Sequence, residues 1–180
     1  SLGLEGLGFR EEARRYYPKG SLASHLLGFT DVDGKGIAGV EYSLDERLSV
    51  SMEPIRLTID SSVQYSLEAE LNAAAVKTGA KGGAGVVLDT KTGEVLGMAS
   101  WPAFDPNRPQ DATADMRFDR ATTGVYELGS VFKPLTVSAA LDFGELTLRE
   151  TFDVSRPIQI GSNAIHDDHP VPAVASCSRS

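Results

Sequence analysis

An α+β fold, with an antiparallel sheet and helices packed on it, is predicted for this chain of 180 residues. Three stretches carry that prediction. "IRLTID" at 55–60 alternates Ile55, Leu57 and Ile59, the period of a strand with one buried face. "SVQYSLEAELNAAAVKTG" sets Val63, Leu67, Leu71 and Ala74 on one helical face and stops at Gly79. "AGVVLD", "TKTG" and "EVLGMAS" then read as strand, turn and returning strand.

The other elements follow in order. "REEARR" suits an exposed segment, and "YYPKG" a turn. Ser21 is placed to cap a short helix carrying Leu22, Leu26 and Leu27. "DVDGKG" is a turn-rich loop. "IAGVEYSLDERL" resumes helical spacing through Val40, Leu44 and Leu48, and "SVSMEP" connects it to the strand at 55–60. Ser61 or Ser62 is the expected cap of the next helix. After the hairpin comes "WPAFDPNRPQDATADMRFDRATTG", with three prolines and little periodicity. Such long excursions in compact domains are often functional. A helix is expected from about Ser130, with Phe132, Leu135, Val137 and Leu141 as its buried side. Short strands and turns are expected beyond Gly144.

Composition narrows the function. The formal net charge is −8 and the pI about 4.9. Phosphate backbones would be repelled, so no nucleic-acid partner is expected. One cysteine, Cys177, allows no internal disulfide. Apolar runs are too short for a transmembrane helix or a secretion signal. The chain opens on "SLGLEGLGF", without an initiator Met, and reads as part of something longer.

The chemistry is concentrated in "YELGSVFKPLTVSAAL". Ser130 and Lys133 are three residues apart, which on a helix puts them on nearly one face. A serine hydroxyl is a poor nucleophile until a base takes its proton. A free lysine amine, with a pKa of ~10.4, is almost wholly protonated at neutral pH. Burial or a neighbouring cation can bring such an amine to ~7–8. Gly129 allows a tight approach to the helix start. Pro134 is tolerated only in the first turn, which fixes that start near Ser130. Helix N–H groups there would favour a developing oxyanion. The bland alternative is a helix cap beside a solvated lysine, since Ser-x-x-Lys occurs by chance in most chains of this length.

Wider context favours chemistry. "YELGSVFKPLTVSAAL" resembles the active-site segment of class B penicillin-binding proteins, the peptidoglycan D,D-transpeptidases. Other stretches agree in linear order: "RRYYPKGSLASHLLGFTDVDGKGIAGVEYSLDERL", "IRLTIDSSVQYSLEAELNAA", "AGVVLDTKTGEVLGMASWPAFDPN" and "RFDRATTGVYELGS". The resemblance runs over nearly all of 9–172, and "GFTDVDGKGIAGVE" favours the cell-division type. It implies a penicillin-binding, transpeptidase-like domain from 55–180, preceded at 1–54 by the end of a pedestal region and linker. It also implies that Ser130 is acylated and that Lys133 is its general base; no cofactor and no metal are expected. The implied partners are a stem peptide ending in D-Ala-D-Ala, β-lactams, and other cell-wall synthesis or division proteins. The implied place is the periplasmic face of the inner membrane, with an N-terminal anchor helix outside this chain.

Two family motifs are missing. Ser-x-Asn should follow the nucleophile, but "GSNA" at 161–164 offers only adjacent Ser162 and Asn163. Lys-Thr-Gly should lie on a later strand, but "KTG" at 91–93 precedes the nucleophile. It reads as turn chemistry, with Gly93 at positive φ and Lys91 and Thr92 in solvent. The chain is therefore expected to stop inside the transpeptidase domain and to be weakly active or inactive. A related β-lactam sensor or β-lactamase, and a non-catalytic scaffold, are the alternatives. Other candidates are weaker. "HDDH" at 166–169 crowds four potential ligands into consecutive positions and suits a polar turn. Aligning Gly34 with the glycine of a calcium loop would put Phe29 at the first ligand position. A Cys177–His169 pair lies near the chain's end, and His25 among leucines suits a helix-surface or packing position. Ser130 also lacks the Gly-x-Ser-x-Gly of the Ser-His-Asp hydrolases.

Overall fold

The computed structural model describes residues 14–51, 53–166 and 174–176. The chain divides into two compact units, Ser1–Val125 and Tyr126–Ser180.

In the first unit, α4 (Ser61–Thr78) lies against a hairpin of β1 (Gly83–Leu88) and β2 (Val95–Trp101). The helix forms where its apolar stripe was read, and Gly79 ends it in the left-handed conformation. Its cap is neither predicted serine. Asp60 takes that place, and its carboxylate accepts from Ser62 N at 2.7 Å and Val63 N at 3.0 Å. One carboxylate oxygen reaches both orphan donors. The N–H groups of Val63 and Ser62 in turn hold the Asp60 carboxyl below its ordinary range.

The strands pair antiparallel from Gly83 opposite Trp101 to Leu88 opposite Val95, with an irregularity between Val87 and Leu88. Three glycines face the helix. A Cβ on Gly83 would lie 3.1 Å from Leu71 Cδ1, on Gly85 2.8 Å from Leu67 Cδ1, and on Gly97 3.3 Å from Val63 Cγ1. Bare backbone on the sheet thus admits the apolar stripe of α4. The turn is the one foreseen. Asp89 Oδ1 accepts from Lys91 N at 2.7 Å and Thr92 N at 3.1 Å, Gly93 has φ +76°, and Lys91 and Thr92 are exposed.

The predicted strand at 55–60 is not one. Ile55, Leu57 and Ile59 are each less exposed than their neighbours, so the alternation was real. Among the described residues only Asp60 N to Leu96 O (2.9 Å) and Thr58 Oγ1 to Val95 O (2.6 Å) hydrogen-bond this segment to β2. The next position along that edge is taken by a side chain. Gln64, 1% exposed, accepts from Met98 N and donates to Met98 O, both at 2.8 Å, and also donates to Glu68 Oε1. A carboxamide has both a donor and an acceptor, so it can stand in for a neighbouring strand. Gln64→Leu should strand both groups of Met98 and cost about 2–4 kcal/mol. Urea denaturation should show the midpoint falling.

Upstream, α1 is Ser24–Leu27, α2 Gly39–Ser43 and α3 Asp45–Val50. Ser21 does not cap α1. The helix begins after Ala23, which is left-handed at φ 57°, and no side chain caps it. The helical run through Val40, Leu44 and Leu48 is present but breaks at Leu44. "DVDGKG" is a turn built on Asp31, whose Oδ1 accepts from Asp33 N and Lys35 N. Arg15 grips Glu41 of α2 through Nε and Nη2, each at 2.9 Å.

Of the two readings of His25, helix surface or packing, the structure shows packing. It is 8% exposed, stands edge-on to Phe104 at 5.1 Å, and donates from Nε2 to the Met116 carbonyl at 2.7 Å. Burial holds its imidazole below the ordinary histidine range. The excursion after β2 is pinned by Asn107. Its carboxamide accepts from Tyr17 N and donates to Tyr17 O, both at 2.9 Å, repeating the device of Gln64. α5 (Ala114–Arg117) follows, capped by the Thr113 side chain.

The second unit holds α6 (Lys133–Asp142), β3 (Thr151–Asp153), β4 (Ile158–Ile160), β5 (Asn163–Ile165) and β6 (Val174–Ser176). β3 pairs with β6 and β4 with β5, both antiparallel. No helix among the described residues is long and apolar enough to cross a membrane.

Candidate functional site

Ser130 and Lys133 lie where a helix begins, as the proline placed it. Gly129–Phe132 form one 3₁₀ turn, and α6 continues directly from Lys133 with Pro134 in its first turn. Lys133 N donates to Ser130 O, which closes that turn. In 3₁₀ geometry residues i and i+3 eclipse one another. The backbone therefore stacks Ser130 and Lys133 more directly than an α-helical start would.

Gly129 has a different role from the one expected. A Cβ there would meet nothing within 4 Å, so no close approach demands a glycine. Its φ of +54° does. The chain reverses hand at Gly129 and enters the turn one residue before the serine. Sequence reasoning saw the glycine and missed the reason. A glycine immediately before a helix-start serine was the available signal. At the other end Gly144, φ +73°, terminates α6, and Glu145 N donates to Ala140 O at 2.9 Å.

The buried helix is a correction. Val131 is 74% exposed, Phe132 54% and Leu135 59%, and both Ser130 and Lys133 are exposed. The apolar pattern was there, but within this unit the described strands pair only two by two. None of them packs substantially on α6. A narrow ribbon cannot cover a helix face. Among the described residues no hydrogen bond joins the Ser130 hydroxyl to the Lys133 amine.

The displaced motifs resolve as turns. Gly161 and Ser162 form the two-residue connection between β4 and β5, with Gly161 at φ +60°, and Asn163 opens β5. "KTG" is the β1–β2 turn described above. The "HDDH" stretch, apart from His166, and the Cys177–His169 pair lie outside the described residues.

The chain resembles proteins of known kind along most of its length. Residues 83–178 match the penicillin binding protein transpeptidase domain. A probable peptidoglycan D,D-transpeptidase FtsI of Caulobacter vibrioides is 48% identical over 178 residues, covering 97% of this chain and 30% of that protein. The peptidoglycan D,D-transpeptidase FtsI of Escherichia coli is 35% identical, covering 92% and 32%. The structure of penicillin binding protein 3 from Mycobacterium tuberculosis superposes with TM-score 0.74 at 35% identity, covering 89% of this chain and 38% of that one. The same protein is known in complex with aztreonam and with ampicillin. This chain thus spans roughly a third of the length of these relatives.

Proposed function

The chain belongs to the penicillin-binding protein transpeptidase family, alongside the cell-division peptidoglycan D,D-transpeptidases, and from that premise we propose that Ser130 is its acylated nucleophile and Lys133 the base that serves it. The observation that supports the reading is the placing of Ser130 and Lys133 one 3₁₀ turn apart at the start of α6, inside the matched segment 83–178.

The reaction balances without a cofactor. Lys133 Nζ takes the hydroxyl proton as Ser130 Oγ attacks the carbonyl carbon of the penultimate D-Ala in a stem peptide. Helix-start N–H groups favour the negative oxygen that forms. The peptide C–N bond then breaks, and the terminal D-Ala leaves with a proton on its amine. The ester on Ser130 is attacked by an amine of a second stem, which forms the cross-link and returns the proton to the serine. A β-lactam enters by the same attack, but its leaving nitrogen stays tethered and the ester persists. The residues upstream of 55 act as the end of a pedestal, and those from 55 onward as transpeptidase domain. The setting is the extracytoplasmic face of the inner membrane, among other division proteins.

The test is covalent labelling by a fluorescent penicillin, with the adduct located by peptide mass spectrometry. An adduct on Ser130 is expected to be faint for these 180 residues, given the exposed Lys133, and strong for a chain extended to the length of its relatives. A folded extended chain that stays unlabelled with Ser130 intact would remove the reading. It would favour the scaffold alternative.

A further inference from the structure

We propose that a cleft beside α4, within the first unit, holds pyranose rings of a glycan strand. It has a volume of about 460 Å³ and is lined by Tyr65, Glu68 and Asn72 of α4, by Trp101 with Pro102, and by Ser21. Residues 65, 68, 69 and 72 follow the i, i+3, i+4, i+7 spacing, so one stripe of α4 faces the cleft. Val63 and Leu67 of α4 meet the sheet instead, and Leu71 lies against Gly83 while also lining the cleft.

Two aromatic residues and a few polar side chains share a largely apolar cleft, and that combination selects a ligand with apolar faces and a hydroxyl edge. Tyr65 is 68% exposed with no partner for its hydroxyl among the described residues. Trp101 is half-buried, and its Nε1 donates to Asn72 Oδ1 at 3.0 Å. That bond fixes the carboxamide and leaves both Asn72 Nδ2 protons without a partner among the described residues. Glu68 is fixed too. Its Oε1 accepts from Ala23 N and Gln64 Nε2, both at 2.7 Å, and Oε2 has no hydrogen bond among the described residues. Ser21 Oγ is likewise unengaged. The cleft therefore offers donors and acceptors held in place beside flat rings.

Charge excludes the competing ligands. Among the described residues Glu68 is the only charged side chain lining the cleft, so an anion would be repelled. One partly engaged carboxylate is little attraction for a cation. The strand residues at the edge, Ser100 and Trp101, already pair with Ala84 and Gly83. A neutral polyol with apolar ring faces fits what remains. The choice of a glycan rests on the proposed function, since cross-linked stems are attached to sugar strands.

Trp101 is the chain's only tryptophan, so its emission reports on this cleft alone. Titration of the full chain with chitotetraose should shift that emission saturably. Tyr65→Ala should weaken binding about tenfold. Asn72→Asp, which keeps the acceptor and removes the amide donors, should weaken it also. Tyr65 is exposed enough that the melting temperature should not move, and this is checked in the same samples. No shift at high millimolar sugar, equal affinity in Tyr65→Ala, or saturation of the cleft by a sugar-free stem peptide would overturn the proposal. The two readings fail separately. Ser130→Ala should bind chitotetraose like the parent, whereas penicillin labelling should be untouched by Tyr65→Ala.

Discussion

Ser130→Ala is expected to abolish penicillin labelling completely while leaving the urea midpoint within about 0.5 kcal/mol of the parent. The two halves of that expectation have different origins. The stability half follows from exposure: the Ser130 hydroxyl has no hydrogen-bond partner among the described residues, so its loss leaves nothing buried and unsatisfied. The labelling half follows from chemistry, because no other oxygen can form the ester at that position. Lys133 is the sharper probe. Lys133→Met should slow acylation by about 10²–10⁴-fold, the usual worth of a general base. Lys133→Arg keeps a cation and nearly the same reach, but a guanidinium does not deprotonate in proteins. If Lys133 acts by taking a proton, arginine should be as poor as methionine. If it acts only as a fixed positive charge, arginine should retain labelling within a few fold, and the role assigned to it would be wrong. Both are read as second-order rate constants for labelling of the extended chain.

How much of this was legible beforehand depended on the range of each interaction. α4 and the β1–β2 hairpin are local patterns of apolar spacing and turn residues, and both formed where read. So did the start of α6, because Pro134 restricts it regardless of tertiary context. Failures came where a distant group competed. Residues 55–60 alternate correctly, yet Gln64 takes the edge of β2 beyond Asp60, so no ladder forms. Ser61 and Ser62 are good caps, yet Asp60 stands one residue earlier and serves both N–H groups. The pattern of α6 tells which residues are apolar, not whether anything covers them. Arg120 gave no signal at all. It packs against Gly82 and donates from Nη1 to the Asp115 and Phe118 carbonyls, and no spacing rule marks it for either task. At the proposed site, the Ser130–Lys133 spacing was visible and the 3₁₀ turn that holds it was not.

Gly28→Ala is expected to be the most destabilising single methyl in the first unit. Two penalties coincide there. Gly28 has φ +76° and ψ −153°, a region open essentially to glycine alone, and holding another residue there costs of order 1–3 kcal/mol. A Cβ would also sit 1.8 Å from Ala38 O and 2.2 Å from Ala38 C, which are backbone atoms and cannot swing aside. The contact is reciprocal, since a Cβ on Gly39, φ +59°, would lie 2.5 Å from Leu26 O and 2.6 Å from Gly28 N. The end of α1 and the start of α2 thus touch backbone to backbone, and a methyl between them must push the two apart. Separation would disturb α2, which carries Glu41 and hence the Arg15 pair. The sum should exceed about 4 kcal/mol, a large fraction of the stability of a domain this size. Gly79→Ala is the matched control: its φ is similarly positive at +65°, but nothing lies within 4 Å of its Cβ. It should cost only about 1 kcal/mol. Urea midpoints of the two variants separate strain from collision. A Gly28→Ala loss no larger than that of Gly79→Ala would mean that the α1–α2 contact is looser than described.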